Sequence, residues 1–188
     1  MEKNALLVID VQKAFDDKKW GPRNNPDAEV KIQQILSACR KAGWTIIHVQ
    51  HRSESPASVF YKDGPGFAIK ELAAPLADEK IIHKTVNSAF IGTDLEGFLQ
   101  ANQIDTLTIV GLTTPHCVST TTRMSGNLGY QTYLIADATA AFGLNDHRGV
   151  FIDPETIHHL SLATLHEEFA TVLDTETFLA QLKKTPAN

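Results

Sequence analysis

A strand that stops at a turn and passes straight into a helix is the feature that most limits what this chain can fold into. Leu107 to Val110 is an apolar run ended by Gly111, the pattern of a buried strand meeting a turn. Thr114 is placed to cap the following helix, and Pro115 to occupy its first position. Cys117 then falls in the first helical turn, where unpaired N–H groups and the helix dipole favour a thiolate. Such an elbow can present a nucleophile. It can equally pack an inert thiol beneath the strand, the common fate of a free cysteine.

The rest of the chain repeats the theme. Ala5 to Ile9 is apolar without alternation, as a strand buried on both faces of a parallel sheet should be, and it ends in Asp10. That carboxylate either caps the next turn or faces a cleft. Phe15 and Trp20 follow in a polar loop. Asn25-Pro26 opens a helix to about Ala42, with Gly43 as its stop and Val30, Ile32, Ile35, Leu36 and Cys39 largely on one face. Cys39 therefore reads as core. A second strand, Trp44 to Gln50, leads into a long loop from His51 to Gly66 that holds Phe60 and Tyr61. Glu79 to His83 is a third strand, followed by Lys84. Thr93-x-x-Glu96 reads as a capping box for a helix to about Asn102, ahead of the fourth strand at Thr106 to Val110. Gln131 to Ala136 is a fifth strand, and Phe142 to Gly149 a loop. Asp153-Pro154 starts a helix to about Phe169. Thr171 to Leu173 is a short sixth strand, and Thr175 to Leu182 a closing helix. His158, His159 and His166 lack the i, i+4 spacing of a helical metal pair and read as surface or subunit-contact residues. His48 and His51, three apart on a strand, point to opposite faces and make poor joint ligands.

Strands alternating with helices predict an α/β fold with a mainly parallel sheet. At 188 residues, without repeats or linkers, one domain over 1–188 is expected. A net charge of −5 argues against nucleic acid. No run is long enough to span a membrane. The start at Met1-Glu2-Lys3-Asn4 shows no leader, and two cysteines make no disulfide framework, so a reducing cytoplasm is expected. Ligands of such sheets bind at the C-terminal strand edge, near the reversal of strand order. Asp10, Lys84 and Cys117 each lie just past the end of a predicted strand. A carboxylate, an ammonium and a thiol on one edge suit nucleophilic acyl chemistry on a small molecule.

Three ordered segments carry a family resemblance. Leu7-Val8-Ile9-Asp10-Val11-Gln12, Lys84-Thr85-Val86-Asn87-Ser88-Ala89-Phe90, and Gly111 through Val118 resemble the isochorismatase-like cysteine hydrolases, and the likeness continues through Asp137-Ala138-Thr139 and Leu165 to Ala170. The resemblance implies a Rossmann-like three-layer α/β/α fold with a six-stranded sheet. It implies Asp10, Lys84 and Cys117 as catalytic triad, a cis peptide between Leu112 and Thr113, and an oxyanion hole from the backbone N–H groups of Thr113 and Cys117. In the expected mechanism Lys84 and the helix start lower the thiol pKa, Asp10 takes the proton, and a thioacyl intermediate is hydrolysed. Nicotinamidases of the family hold a metal through Asp-x-His…His after the second strand. Here that region reads His48-Val49-Gln50-His51-Arg52-Ser53-Glu54-Ser55, so neither metal nor cofactor is expected. Thr113 through Met124 and Asp146-His147-Arg148-Gly149 are similar to the streptothricin-hydrolase-like branch, which opens cyclic amides. Candidate pocket walls are Phe15, Trp20, Phe60, Phe90, His116, Phe142 and His147. The family commonly forms dimers or tetramers, so a homo-oligomer is expected. Vinyl-ether hydrolysis of the isochorismate type, which needs no cysteine, is the alternative reaction. A redox-responsive oligomeric module using Cys117 is the alternative outside enzymes.

Overall fold

The computed structural model describes residues 3–184. Met1 and Glu2, on which the leader expectation partly rests, and the last four positions of the expected domain lie outside the described residues. Along the chain run β1 (Asn4–Ile9), α1 (Ala28–Lys41), β2 (Thr45–His51), β3 (Lys80–Lys84), α2 (Leu95–Ala101), β4 (Thr106–Leu112), α3 (Ser119–Asn127) and β5 (Gln131–Ala140). A two-residue hairpin pair, β6 (Leu144–Asn145) and β7 (Phe151–Ile152), precedes α4 (Pro154–Ala163), β8 (Thr171–Leu173) and α5 (Thr175–Lys184).

Six strands form one sheet in the order β3-β2-β1-β4-β5-β8, every neighbouring pair parallel. Unbroken apolar strands need cover on both faces, and β1 shows how it is supplied. Leu7 and Ile9 pack with α2, α3 and α4 residues such as Leu99, Met124 and Leu162. Leu6 and Val8 face the other way, onto Ile32, Ile35 and Cys39 of α1 and Phe178 of α5. Each such side chain contributes about 2 kcal/mol relative to exposure. The result is a three-layer α/β/α sandwich. Cys39 is core, as expected, while Val30 turns outward from α1. No helix among the described residues is long and apolar enough to cross a membrane.

Strand order reverses between β1 and β4, so the cleft belongs above their C-terminal ends. Gly111 makes their approach possible. It sits at φ +127, beside a register shift against β5, and a Cβ there would stand 2.1 Å from the Ile9 carbonyl oxygen.

Several boundaries differ from the sequence expectation. The predicted Thr93–Glu96 capping box does not form: Thr93 Oγ1 donates to the Ala89 carbonyl (2.5 Å), and Glu96 accepts from Gln100 instead. Strand β5 continues past Asp137, whose carboxylate accepts from the Thr175 N–H and hydroxyl (2.8 and 2.7 Å) and so starts α5. Helix α4 stops at Ala163 rather than Phe169. Its apolar spacing continues into a turn that buries Leu165 and brings the Phe169 backbone against Gly126, where a Cβ would meet it at 2.8 Å. The predicted loop from Phe142 contains the first arm of the β6–β7 hairpin. Asp153 does cap α4, accepting from the Thr156 N–H (3.0 Å).

Candidate active site

Asp10, at the end of β1, adopts φ +49, a left-handed conformation that few residue types tolerate, and is completely buried. Lys84 is the last residue of the edge strand β3, one position earlier in structural terms than its predicted place beyond the strand. Its buried side chain runs back under β2 toward β1. There Nζ lies 2.7 Å from Asp10 Oδ2, 3.2 Å from Cys117 Sγ and 3.1 Å from His51 Nδ1. An ammonium has three N–H donors, and each has an acceptor.

Cys117 arrives on the turn after β4. The Leu112–Thr113 peptide is cis. Residues Thr114–Val118 form one wide turn, closed by Val118 N–H donating to the Thr113 carbonyl (3.3 Å), before α3 begins. Widened turns of this kind recur at functional sites. Thr113, not Thr114, occupies the cap, and no side chain caps it. The Thr114 hydroxyl points inward to His158 Nδ1 (2.8 Å) because His158 is buried, which overturns its expected place on the surface. The Asn25 side chain meets the far side of that ring (3.4 Å to Nε2). His159 and His166 are exposed.

The electrostatics correct one expectation outright. Burial first, and then the Asp10 carboxylate, push the Cys117 thiol up to about 12, against the pull of Lys84. The shift runs opposite to the lowering that the helix start suggested and favours the thiol. Burial also raises Asp10, although Lys84 pulls the other way. Among the described residues, Asp10 Oδ1 has no hydrogen-bond partner. A raised carboxylate with a free oxygen is a better base than one whose lone pairs are occupied.

His51 is the residue that sequence reasoning set aside. It pairs in register with Lys84 and stands between β1 and β3, which only the strand order reveals. Gln12 clamps its backbone from both ends, accepting from the His51 N–H (2.8 Å) and donating to its carbonyl (3.1 Å). Burial and Lys84 lower the His51 pKa. Asp10, His51 and Cys117 bring one ligand atom each within 4.8 Å of one another, but the Lys84 ammonium stands among them. Any added cation would have to displace it. His48 goes elsewhere, to Glu79 Oε2 (2.9 Å).

Above Cys117 opens a cavity of about 250 Å³. Of the proposed walls, Phe15, Trp20, Phe60, Phe142 and His116 line it, as do His51, Asn87 and Leu144, which the sequence did not single out for it. Phe90 does not line it; its ring stacks on Tyr130 in the core on the same side of the sheet as Cys117. His147 does not either, being exposed in the β6–β7 turn.

Residues 4–177 match the isochorismatase domain. The chain belongs to the isochorismatase family. It is 60% identical to the isochorismatase family protein YrdC of Bacillus subtilis (strain 168), over 98% of both chains. An isochorismatase-family crystal structure from Chromobacterium violaceum ATCC 12472 superimposes with a TM-score of 0.95 at 39% identity, covering 98% of this chain and 96% of that one. Streptothricin hydrolase of Streptomyces noursei is a more distant relative, 30% identical over 74% of this chain and 50% of its own. Amidohydrolases also stand among the distant relatives. The protein is thus an isochorismatase-family hydrolase.

Proposed function

We propose that this protein is a cysteine amidohydrolase that cleaves a C–N bond of a small amide through a thioacyl intermediate on Cys117. The observation that carries the reading is one buried ammonium, Lys84, holding a carboxylate at 2.7 Å and a thiol at 3.2 Å beneath the cavity floor. Because burial favours the thiol, the proton leaves as the bond forms. Asp10 accepts it while Sγ attacks the substrate carbonyl carbon. The electrons of the C=O bond move onto oxygen, and the Thr113 and Cys117 backbone N–H groups receive that charge. Losing one such donor typically costs 100- to 1000-fold in rate. The tetrahedral species collapses with cleavage of the C–N bond, and Asp10 returns its proton to the departing nitrogen. Asp10 then takes a proton from water, whose oxygen attacks the thioester; as the C–S bond breaks, Asp10 returns that proton to Sγ, releasing the acid and restoring the thiol. Lys84 holds the Asp10 carboxylate and the sulfur in place.

A redox module finds less support. Burial favours the thiol at Cys117, and Cys39, also pushed up to about 12 by burial, lies in the opposite layer. The test is ammonia release from a panel of small amides and lactams with EDTA present. Release should survive the chelator, fall by on the order of 10⁴-fold or more in Cys117→Ser, and fall at least about 100-fold in Asp10→Asn. Turnover that persists in Cys117→Ser, or that EDTA abolishes, overturns the reading.

A further inference from the structure

The walls above Cys117 carry information about charge. None of the residues lining the cavity is Lys, Arg, Asp or Glu. Phe15, Trp20, Phe60 and Phe142 form a continuous aromatic wall, with Phe15–Phe60, Phe15–Trp20 and Trp20–Phe142 centroids 5.2, 5.6 and 5.7 Å apart. The indole N–H of Trp20 is already used on the Ala14 carbonyl (2.9 Å), so the ring offers the cavity only its apolar surface. The polar groups that remain are neutral: the Asn87 amide, the Thr113 hydroxyl and two imidazoles whose pKa values burial lowers. Beneath them the Lys84 ammonium is matched by the Asp10 carboxylate, so the floor offers no unbalanced positive charge. As Sγ attacks and Asp10 takes its proton, the negative charge passes from Asp10 to the substrate oxygen, on the cavity side.

An anionic group entering this space would lose its hydration without gaining a cation, and would then face the negative charge that moves onto the substrate oxygen. A neutral amide meets hydrogen-bonding groups at its reacting end and rings along its flank. The volume, just under the usual 300–1,000 Å³ of ligand pockets, keeps the occupant small. Resting on the amidohydrolase reading, we infer that the substrate is a small uncharged amide whose non-reacting part is apolar or ring-shaped, and that amides bearing a carboxylate are turned away.

Two matched pairs test this, since a carboxylate and a primary amide differ in charge but hardly in shape. Terephthalamide and terephthalamate present the same benzamide end to Cys117. The diamide should show kcat/KM at least about 100-fold higher, well beyond its statistical factor of two. Iodoacetamide and iodoacetate probe the same cavity without turnover. Their inactivation-rate ratio at Cys117 should exceed the ratio on free cysteine by at least about tenfold. Leu144→Arg, which sets a guanidinium into the wall, should narrow both gaps. Equal use of the acid and the diamide, or an iodoacetate rate matching its behaviour on free cysteine, overturns the substrate class while leaving the amidohydrolase reading in place. No hydrolysis of either amide, nor of benzamide and small lactams, overturns the amidohydrolase reading and this assignment with it, even where alkylation stays selective for the neutral reagent.

Discussion

Two buried carboxylates, Asp10 and Glu29, meet opposite fates. Glu29, in the first turn of α1, accepts from Arg23 on both oxygens and from Lys70 on one (2.7 Å), while Lys70 also holds Asp16. Burial pushes Glu29 up, but the two cations outweigh it and bring the group down to about 2. Asp10 has one cation on one oxygen and nothing on the other, and burial prevails. Asp10 is the deeper of the two, and it makes one charge-assisted hydrogen bond where Glu29 makes three. Together these separate a carboxylate that braces the fold from one left able to take a proton. The groove over Glu29, about 690 Å³, is the larger of the two cavities, yet its charges already answer one another.

Removing the cation from the poised site should produce the largest effect. Lys84→Met keeps the length of the side chain but leaves a buried carboxylate without its counter-ion. Turnover should fall by on the order of 10³-fold or more, because both Asp10 and Cys117 lose their shared partner. Urea unfolding should also show a loss of about 3–5 kcal/mol, the usual result of stranding one member of a buried pair. Full activity in this variant would end the distinction between the two networks.

The bracing network should answer in stability alone. Glu29→Gln is expected to lose about 3 kcal/mol at pH 7, the equivalent of its downward shift, with kcat/KM within about twofold of wild type. The pH dependence has a definite sign. Folded Glu29 titrates below its unfolded value of 4.5, so the unfolded chain takes up the proton first. The contribution is therefore complete above about pH 4.5 and drains away as pH falls toward 2. Wild type and Glu29→Gln should converge in stability on acidification. Asp10, shifted the other way, favours folding when protonated, so its effect on stability grows as pH falls. A gap between wild type and Glu29→Gln that stayed constant to pH 2.5 would show that Arg23 and Lys70 do not act on Glu29 as charges.

The contrast also explains what could be read in advance. The unbroken apolar runs of β1 and β4 announced a doubly covered parallel sheet, and the meeting of Asp10, Lys84 and Cys117 at one sheet edge was legible because Asp10 and Cys117 follow those runs and Lys84 follows the shorter run of β3. His51 was not, since its role follows from β2 lying between β1 and β3, and spatial order is not written in local spacing. The protonation of Cys117 was hidden for a related reason. A helix start suggests a thiolate, but the outcome depends on burial and on Asp10, 107 positions earlier in the chain. Periodicity misled where Leu165 is buried by a turn instead of a helix, and composition alone could not separate Phe142 at the cavity from Phe90 in the core.

A third buried arrangement, neutral throughout, supports the turn that carries Cys117 and should give the smallest effect. The Thr114 hydroxyl meets His158 Nδ1 at 2.8 Å, and Asn25 Nδ2, also bound to the Thr139 carbonyl (2.7 Å), faces Nε2. The Thr114 hydroxyl can donate to Nδ1 or accept from it, so the pair is satisfied in either tautomer of the ring. Burial lowers the His158 pKa, which keeps the ring neutral and the arrangement intact near pH 7. Thr114→Val removes the hydroxyl at nearly constant volume, leaving His158 Nδ1 unanswered, so unfolding should become easier by about 1–2 kcal/mol. Catalysis should change by less than about tenfold, because Lys84, rather than this pair, fixes the sulfur. If Thr114→Val instead matched Lys84→Met in turnover, the neutral pair, and not the ion pair, would be what positions the nucleophile.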